Sequence, residues 1–134
     1  MKFVFLLLSL FPLLALARPA DDNLTWALAK ERRQQIESVD YQLSFDLKKG
    51  VETYAAVVTL KLKLRHTKSD LSIDKHSQKI VSLIVNGKSV KKFEQKTDSL
   101  TIPRKLLKSE TTIVIAFTNV FSKESSGFQR SVDP

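Results

Sequence analysis

Tyr41-Gln42-Leu43-Ser44-Phe45-Asp46-Leu47 leads through Lys48-Lys49-Gly50 into Tyr54-Ala55-Ala56-Val57-Val58-Thr59-Leu60-Lys61-Leu62-Lys63-Leu64. In the first segment the apolar residues fall on every second position, a period of two that predicts a half-buried strand. The second segment sets Tyr54, Ala56, Val58, Leu60, Leu62 and Leu64 on one face and Thr59, Lys61 and Lys63 on the other. Lys48-Lys49-Gly50 supplies the turn between them. A long strand that is greasy on one side and polar on the other belongs to an antiparallel sheet with one face in water.

Downstream the same rhythm continues in shorter pieces. Leu71-Ser72-Ile73-Asp74 predicts a third strand, and Ile80 to Val85 a denser apolar one. The latter ends at Asn86-Gly87, the strongest short hairpin signal because both residues tolerate positive φ. Lys88 to Phe93 is the expected returning strand, Ser99 to Ile102 stops at Pro103, and Thr111 to Phe121 closes the series. In that last segment Ile113, Ile115 and Phe117 face one way and Val114 and Ala116 the other, which predicts a strand buried on both faces. Seven or eight short strands without an intervening helix give a mainly β chain, an antiparallel β-sandwich or curved sheet.

Upstream, Trp26 to Ile36 is rich in helix formers. Thr25 is placed to cap the first turn and Leu24 to pack onto Ala29 as a staple. The apolar stripe is narrow, so one short N-terminal surface helix is expected, with Trp26 and Leu28 against the sheet.

Residues 1–17 have the form of an export signal: Lys2, an apolar run from Phe3 to Leu14 broken only by Ser9 and Pro12, then Ala15-Leu16-Ala17 as the cleavage site. The run falls short of the roughly 20 residues that span a bilayer, so no stable membrane anchor is expected after cleavage. The remaining domain, residues 18–134, is expected to be exported to the periplasm or secreted. It suffices for one domain, which at this size buries roughly two-thirds of its unfolded surface. The chain has no cysteine, which excludes a lipid anchor at the cut and leaves stability to the core. Asn23-Leu24-Thr25 is a glycosylation acceptor only in a eukaryotic secretory route.

Lysine and arginine outnumber aspartate and glutamate by 22 to 14. The lysines are scattered over turns and polar strand faces with few aromatics among them, so nucleic acid is not an expected partner. Catalytic groups are scarce. His66 and His76 stand nine residues apart in a loop region, too few for a zinc site. Gly50, Gly87 and Gly127 are explained by turns rather than by a phosphate loop. The serines have no histidine–carboxylate pair to activate them. Asp70 and Asp74 share a face and superficially resemble paired carboxylates, although such residues far more often solvate a strand edge. The sequence thus assigns no catalytic, cofactor-binding or metal-binding residue.

The order of these pieces resembles the start of bacterial aminopeptidase N, a family of zinc metallo-aminopeptidases. The carrying features are Leu24-Thr25 with Ala29 and Arg32, Val39-Asp40-Tyr41-x-Leu43-x-Phe45-x-Leu47, Glu52-Thr53-Tyr54, Val85-Asn86-Gly87 and Leu100-x-Ile102-Pro103. The strand from Thr112 through Val114 and Ile115 to Phe117 joins them, as does Gly127-Phe128-Gln129-Arg130-Ser131-Val132-Asp133-Pro134. The chain departs from the family at Ala55-Ala56 and at Ser109-Glu110, where glycine is usual. The resemblance implies a saddle-like β-sandwich that packs on a thermolysin-like catalytic domain. It also implies that the zinc ligands, general base and substrate-binding strand have no counterpart here.

The expectation is therefore an exported, non-catalytic domain: part of a metallopeptidase family's N-terminal sandwich, truncated before the catalytic domain and lacking cofactors. The alternative is a stand-alone secreted module that binds a protein or peptide. An unpaired sheet edge would in either case favour pairing with another chain or self-association; charge or proline at the edges, as at Lys91-Lys92 and Pro103, would mark adaptation to life alone. N-terminal sequencing of the exported protein should begin at Arg18. Recovery of Met1 in a membrane fraction would overturn the signal assignment.

Overall fold

The computed structural model describes residues 25–76, 78–96, 98–122 and 128–130. The expected signal at 1–17, the staple residue Leu24 and most of the Gly127–Pro134 motif lie outside these. Helix α1 (Trp26–Gln35) is followed directly by strand β1 (Ile36–Asp46). Then come β2 (Thr53–Leu64), β3 (Leu71–Asp74), β4 (Lys79–Val85), β5 (Lys88–Ser89), β6 (Glu94–Gln95), β7 (Ser99–Ile102) and, after a single 3-10 turn at Arg104–Leu106, β8 (Glu110–Val120). A five-stranded sheet in the order β1-β2-β8-β4-β5 faces a three-stranded sheet in the order β3-β7-β6, with every pairing antiparallel.

The two-residue period of β2 sets the register of the large sheet. Leu60 stands between Tyr41 of β1 and Ile113 of β8, and Val58 between Leu43 and Ile115. β4 continues the row, with Leu83 opposite Ile115 and Val85 opposite Ile113. Leu60, Leu62 and Leu64 thereby form one core with Leu83, Val85, Ile113 and Ile115, closed from the other sheet by Leu71, Leu100 and Ile102. Leu107, just past the 3-10 turn, completes it.

Polar groups within this core are matched. Buried Gln35 donates from Nε2 to the Ser69 carbonyl at 3.0 Å, and its own carbonyl accepts from Arg65 N–H. Buried Thr111 donates its hydroxyl to the Lys108 carbonyl and accepts from the Lys108 N–H. The β4–β5 turn uses Asn86 at φ 51° and Gly87 at φ 78°, the left-handed region that the Asn-Gly pair anticipates. Asn86 also donates to the Leu106 carbonyl and accepts from Thr112 N–H, tying the turn to β8.

Several expectations are corrected. The helix ends at Gln35, and β1 begins at Ile36, five residues before the alternation starts. Thr25 does cap it, accepting from Leu28 N–H at 3.2 Å. Trp26, however, is 78% exposed and lies beneath the Lys30 ammonium rather than against the sheet. The returning strand at Lys88 shrinks to two residues because the chain leaves β4 at once to reach the small sheet, where β6 is an element the sequence pattern missed. β8 is central, bonded to β2 and β4, but not buried on both faces: Val114 and Ala116 are only half-buried, on the outer side.

The two faces of β8 should differ in what they contribute. Ile113→Ala empties a fully covered site and should cost about 3 kcal/mol, whereas Val114→Ala should cost less than about 1 kcal/mol. Denaturant unfolding of both variants measures this, and equal losses would show that the outer face is covered as well.

Candidate interaction groove

The small sheet is shorter than the sheet it covers, and the inner face of the large sheet runs out from under it. On the side where β1 and β3 are both edge strands the two layers part, leaving an open groove of about 360 Å³. Tyr41 and Leu43 form its β1 wall, Val58, Ile80 and Phe117 its floor, and Ile73 its β3 wall. Tyr41 is 65% and Leu43 53% exposed, with Phe45 at 43%. The alternation that predicts a half-buried strand is thus present, but the layer that would bury it does not reach so far.

One end of the groove is spanned by Arg32. Projecting from α1, it donates from Nη1 and Nη2 to the two carboxylate oxygens of Asp74 in β3, both at 2.5 Å, with a weaker contact to Ser72 Oγ. The bidentate bond raises the guanidinium's pKa and holds the Asp74 carboxyl below the usual carboxylate range, burial opposing both shifts. Arg32 Nε is buried with no partner among the described residues.

Further along β1, two residues past Leu43, aromatic rings cluster about Phe45. Tyr54 and Phe128 meet edge to face at 5.2 Å, and Phe45, Phe121 and Phe128 stack around them at centroid distances of 5.1–6.1 Å. Arg130 donates from Nη1 to the Val51 carbonyl at 2.6 Å, fixing the segment that carries Phe128. The Phe128-x-Arg130 pair of the sequence motif therefore caps the sheet: the aromatic covers Tyr54 and the arginine anchors the turn.

The residues weighed as chemistry in the sequence are dispersed. Asp70 accepts from Arg104 N–H at 2.7 Å and starts the 3-10 turn, while Asp74 binds Arg32; they do not act as a carboxylate pair. His66 is half-buried before β3 and His76 is exposed after it. Among the described residues no three histidine, cysteine or acidic side chains gather as a metal site would require. The groove is mostly apolar, with the Arg32–Asp74 pair, Ser72, Lys75 and Gln78 as its polar lining among the described residues. Sequence reading missed it because Arg32 and Asp74 are 42 residues apart and nothing local reveals their pairing.

No protein family matches the sequence, and no curated protein matches it. Solved structures do. The M1 zinc metallopeptidase from Deinococcus radiodurans matches at TM-score 0.52 and 16% identity, over 66% of this chain and 22% of that one. A mutant of the same enzyme matches at TM-score 0.57 and 15% identity, over 72% and 25%. The fold is one found in M1 zinc metallopeptidases. The chain spans a quarter or less of the length of those enzymes, and at such identities the likeness is one of architecture. It falls on the family that the sequence motifs resemble.

The Arg32–Asp74 pair predicts a pH signature. A carboxyl whose pKa is lowered in the folded state stabilises the fold above its unfolded pKa of about 3.9, and this is lost as pH falls through the folded value. Asp74 is 58% exposed, so solvent screening holds the effect below about 1 kcal/mol. Asp74→Asn should lower stability slightly at pH 7, with the difference from the parent shrinking as pH falls through the lowered folded value. A difference that persists below that value would assign Asp74 another role.

Proposed function

We propose that this chain is an exported, non-catalytic β-sandwich domain, equivalent to the N-terminal part of a zinc aminopeptidase and separate from the peptidase site. Its work is to present a shaped surface to other polypeptide. The supporting observation is the fold match over most of this chain but only a quarter or less of the metallopeptidases. The composition of the groove agrees with it. Apolar side chains and one charge-matched pair suit packing against protein, whereas a peptidase site needs metal ligands and a general base.

A second reading, a stand-alone protein- or peptide-binding module, is favoured by one specific feature. β1 is an eleven-residue edge strand along whose far side no other strand pairs among the described residues, which leaves its backbone open to an extended peptide.

The test is direct. Purified protein is analysed for zinc and assayed on aminoacyl-arylamide substrates. Neither stoichiometric metal nor hydrolysis is expected. One firmly held zinc per chain, with hydrolysis abolished by a chelator, would sink the non-catalytic reading.

A further inference from the structure

We infer that the outer edge of β1 is a docking site for an extended segment of another polypeptide in which apolar and basic residues alternate. The inference builds on the second reading above. It begins with the backbone. β1 pairs only with β2, and among the described residues no other strand lies along its far side. Alternate N–H and C=O groups along eleven residues are therefore set to accept one more strand.

The side chains specify which strand. Tyr41 and Leu43 project into the groove between the sheets and Phe45 lies beside the aromatic cap, all three largely uncovered. A strand bonded to β1 would place every second side chain beside them, at the mouth of a space that already exists. Its apolar positions would extend the row of Leu60, Ile113 and Val85 by one member.

On the opposite face β1 is acidic. It carries Glu37, Asp40 and Asp46 and no basic residue, in a chain of net charge +8. On the β2 side these acids are already answered: Lys63 pairs with Glu37 at 3.0 Å, Lys61 stands opposite Asp40, and Lys48 of the following turn pairs with Asp46 at 3.5 Å. A partner on the free side meets the same acids from the other flank, so basic residues at its outward positions are favoured by cross-strand attraction.

In the register that centres the uncovered Tyr41, Leu43 and Phe45 on one another, two β1 strands meeting antiparallel about a twofold axis at Leu43 set Asp40 against Asp46, acid opposite acid at both ends, which disfavours a second copy there. The other edge of the large sheet is broken between residues 79–83 of β4 and the two-residue β5, which carry Lys79 and Lys88. β1 is the longer edge and carries no lysine.

The probe is a fluorescent peptide of about nine residues with alternating valine and lysine, titrated into the whole chain at low salt and followed by anisotropy. Comparison peptides replace lysine by glutamate or shuffle the order to break the alternation. The alternating basic peptide should bind at least about tenfold more tightly than either, and should slow hydrogen exchange at amides between Val39 and Phe45. Asp40→Lys should weaken binding about fivefold or more. Leu43→Lys, which points a charge into the groove mouth, should abolish it, while Lys88→Glu at the far edge should change nothing.

Circular dichroism establishes that the variants fold; should Leu43→Lys not fold, Asp40→Lys and the exchange data decide alone. Equal binding of the glutamate or shuffled peptide overturns the proposal. So does exchange at β1 that ignores the peptide, or β1 amides all slow in the free chain, which would mean that the edge is already occupied. A concentration-dependent dimer dissolved by Leu43→Lys would transfer the edge to a second copy and overturn it too. The outcome is separable from the zinc assay, since a metal-free, inactive chain can pass or fail it.

Discussion

A five-stranded sheet faced by a three-stranded one has more apolar inner surface than the smaller layer can cover. That mismatch governs most of what is distinctive in the molecule. Where the layers overlap, Leu71, Leu100 and Ile102 seal Leu60, Leu62, Ile113 and Val85 into a dry core. Beyond the overlap the sheet covers itself in two other ways. Four aromatic rings cluster further along β1, each contact contributing about 0.5–1.5 kcal/mol beyond simple burial, and an arginine reaches across one end of the groove. The stretch between them stays open, and Tyr41 and Leu43 stand at its rim.

Charge follows the same division. The chain is basic overall, yet its basic residues on β2 lie beside the acids of β1 rather than in a field of one sign. Net charge therefore says little about partners here; the distribution across adjacent strands says more. The fold is shared with M1 zinc metallopeptidases, of whose chains the matched part is a quarter or less.

The sequence made the strands legible wherever burial was complete on one face. The alternation of β2, the apolar run of β4, the Asn86-Gly87 turn and the short segments of β3 and β7 all appear at or within a residue of their predicted positions. It misled where local pattern and tertiary cover part company. β1 has the alternation of a half-buried strand, but whether Tyr41 is covered depends on the length of a sheet built 30 to 60 residues later. Val114 and Ala116 look like core for a similar reason: small and β-branched residues also suit a central strand that faces water. The groove was invisible because it is defined by what the small sheet fails to reach, and the ion pair at its end joins a helix to a strand 42 residues away.

β8 lies between β2 and β4, and it is the last long strand in the chain order. The register that aligns Leu60 with Ile113 and Ile113 with Val85 thus joins segments some 30 to 50 residues apart, and a loop of that size must close before either side of the sheet gains a neighbour. Until residues 110–120 are available, β1 and β2 are a bare hairpin, marginal on its own in water, and β4 has only its two-residue partner. β8 joins the two flanks of the sheet in the middle, so neither flank is complete without the last strand among the described residues.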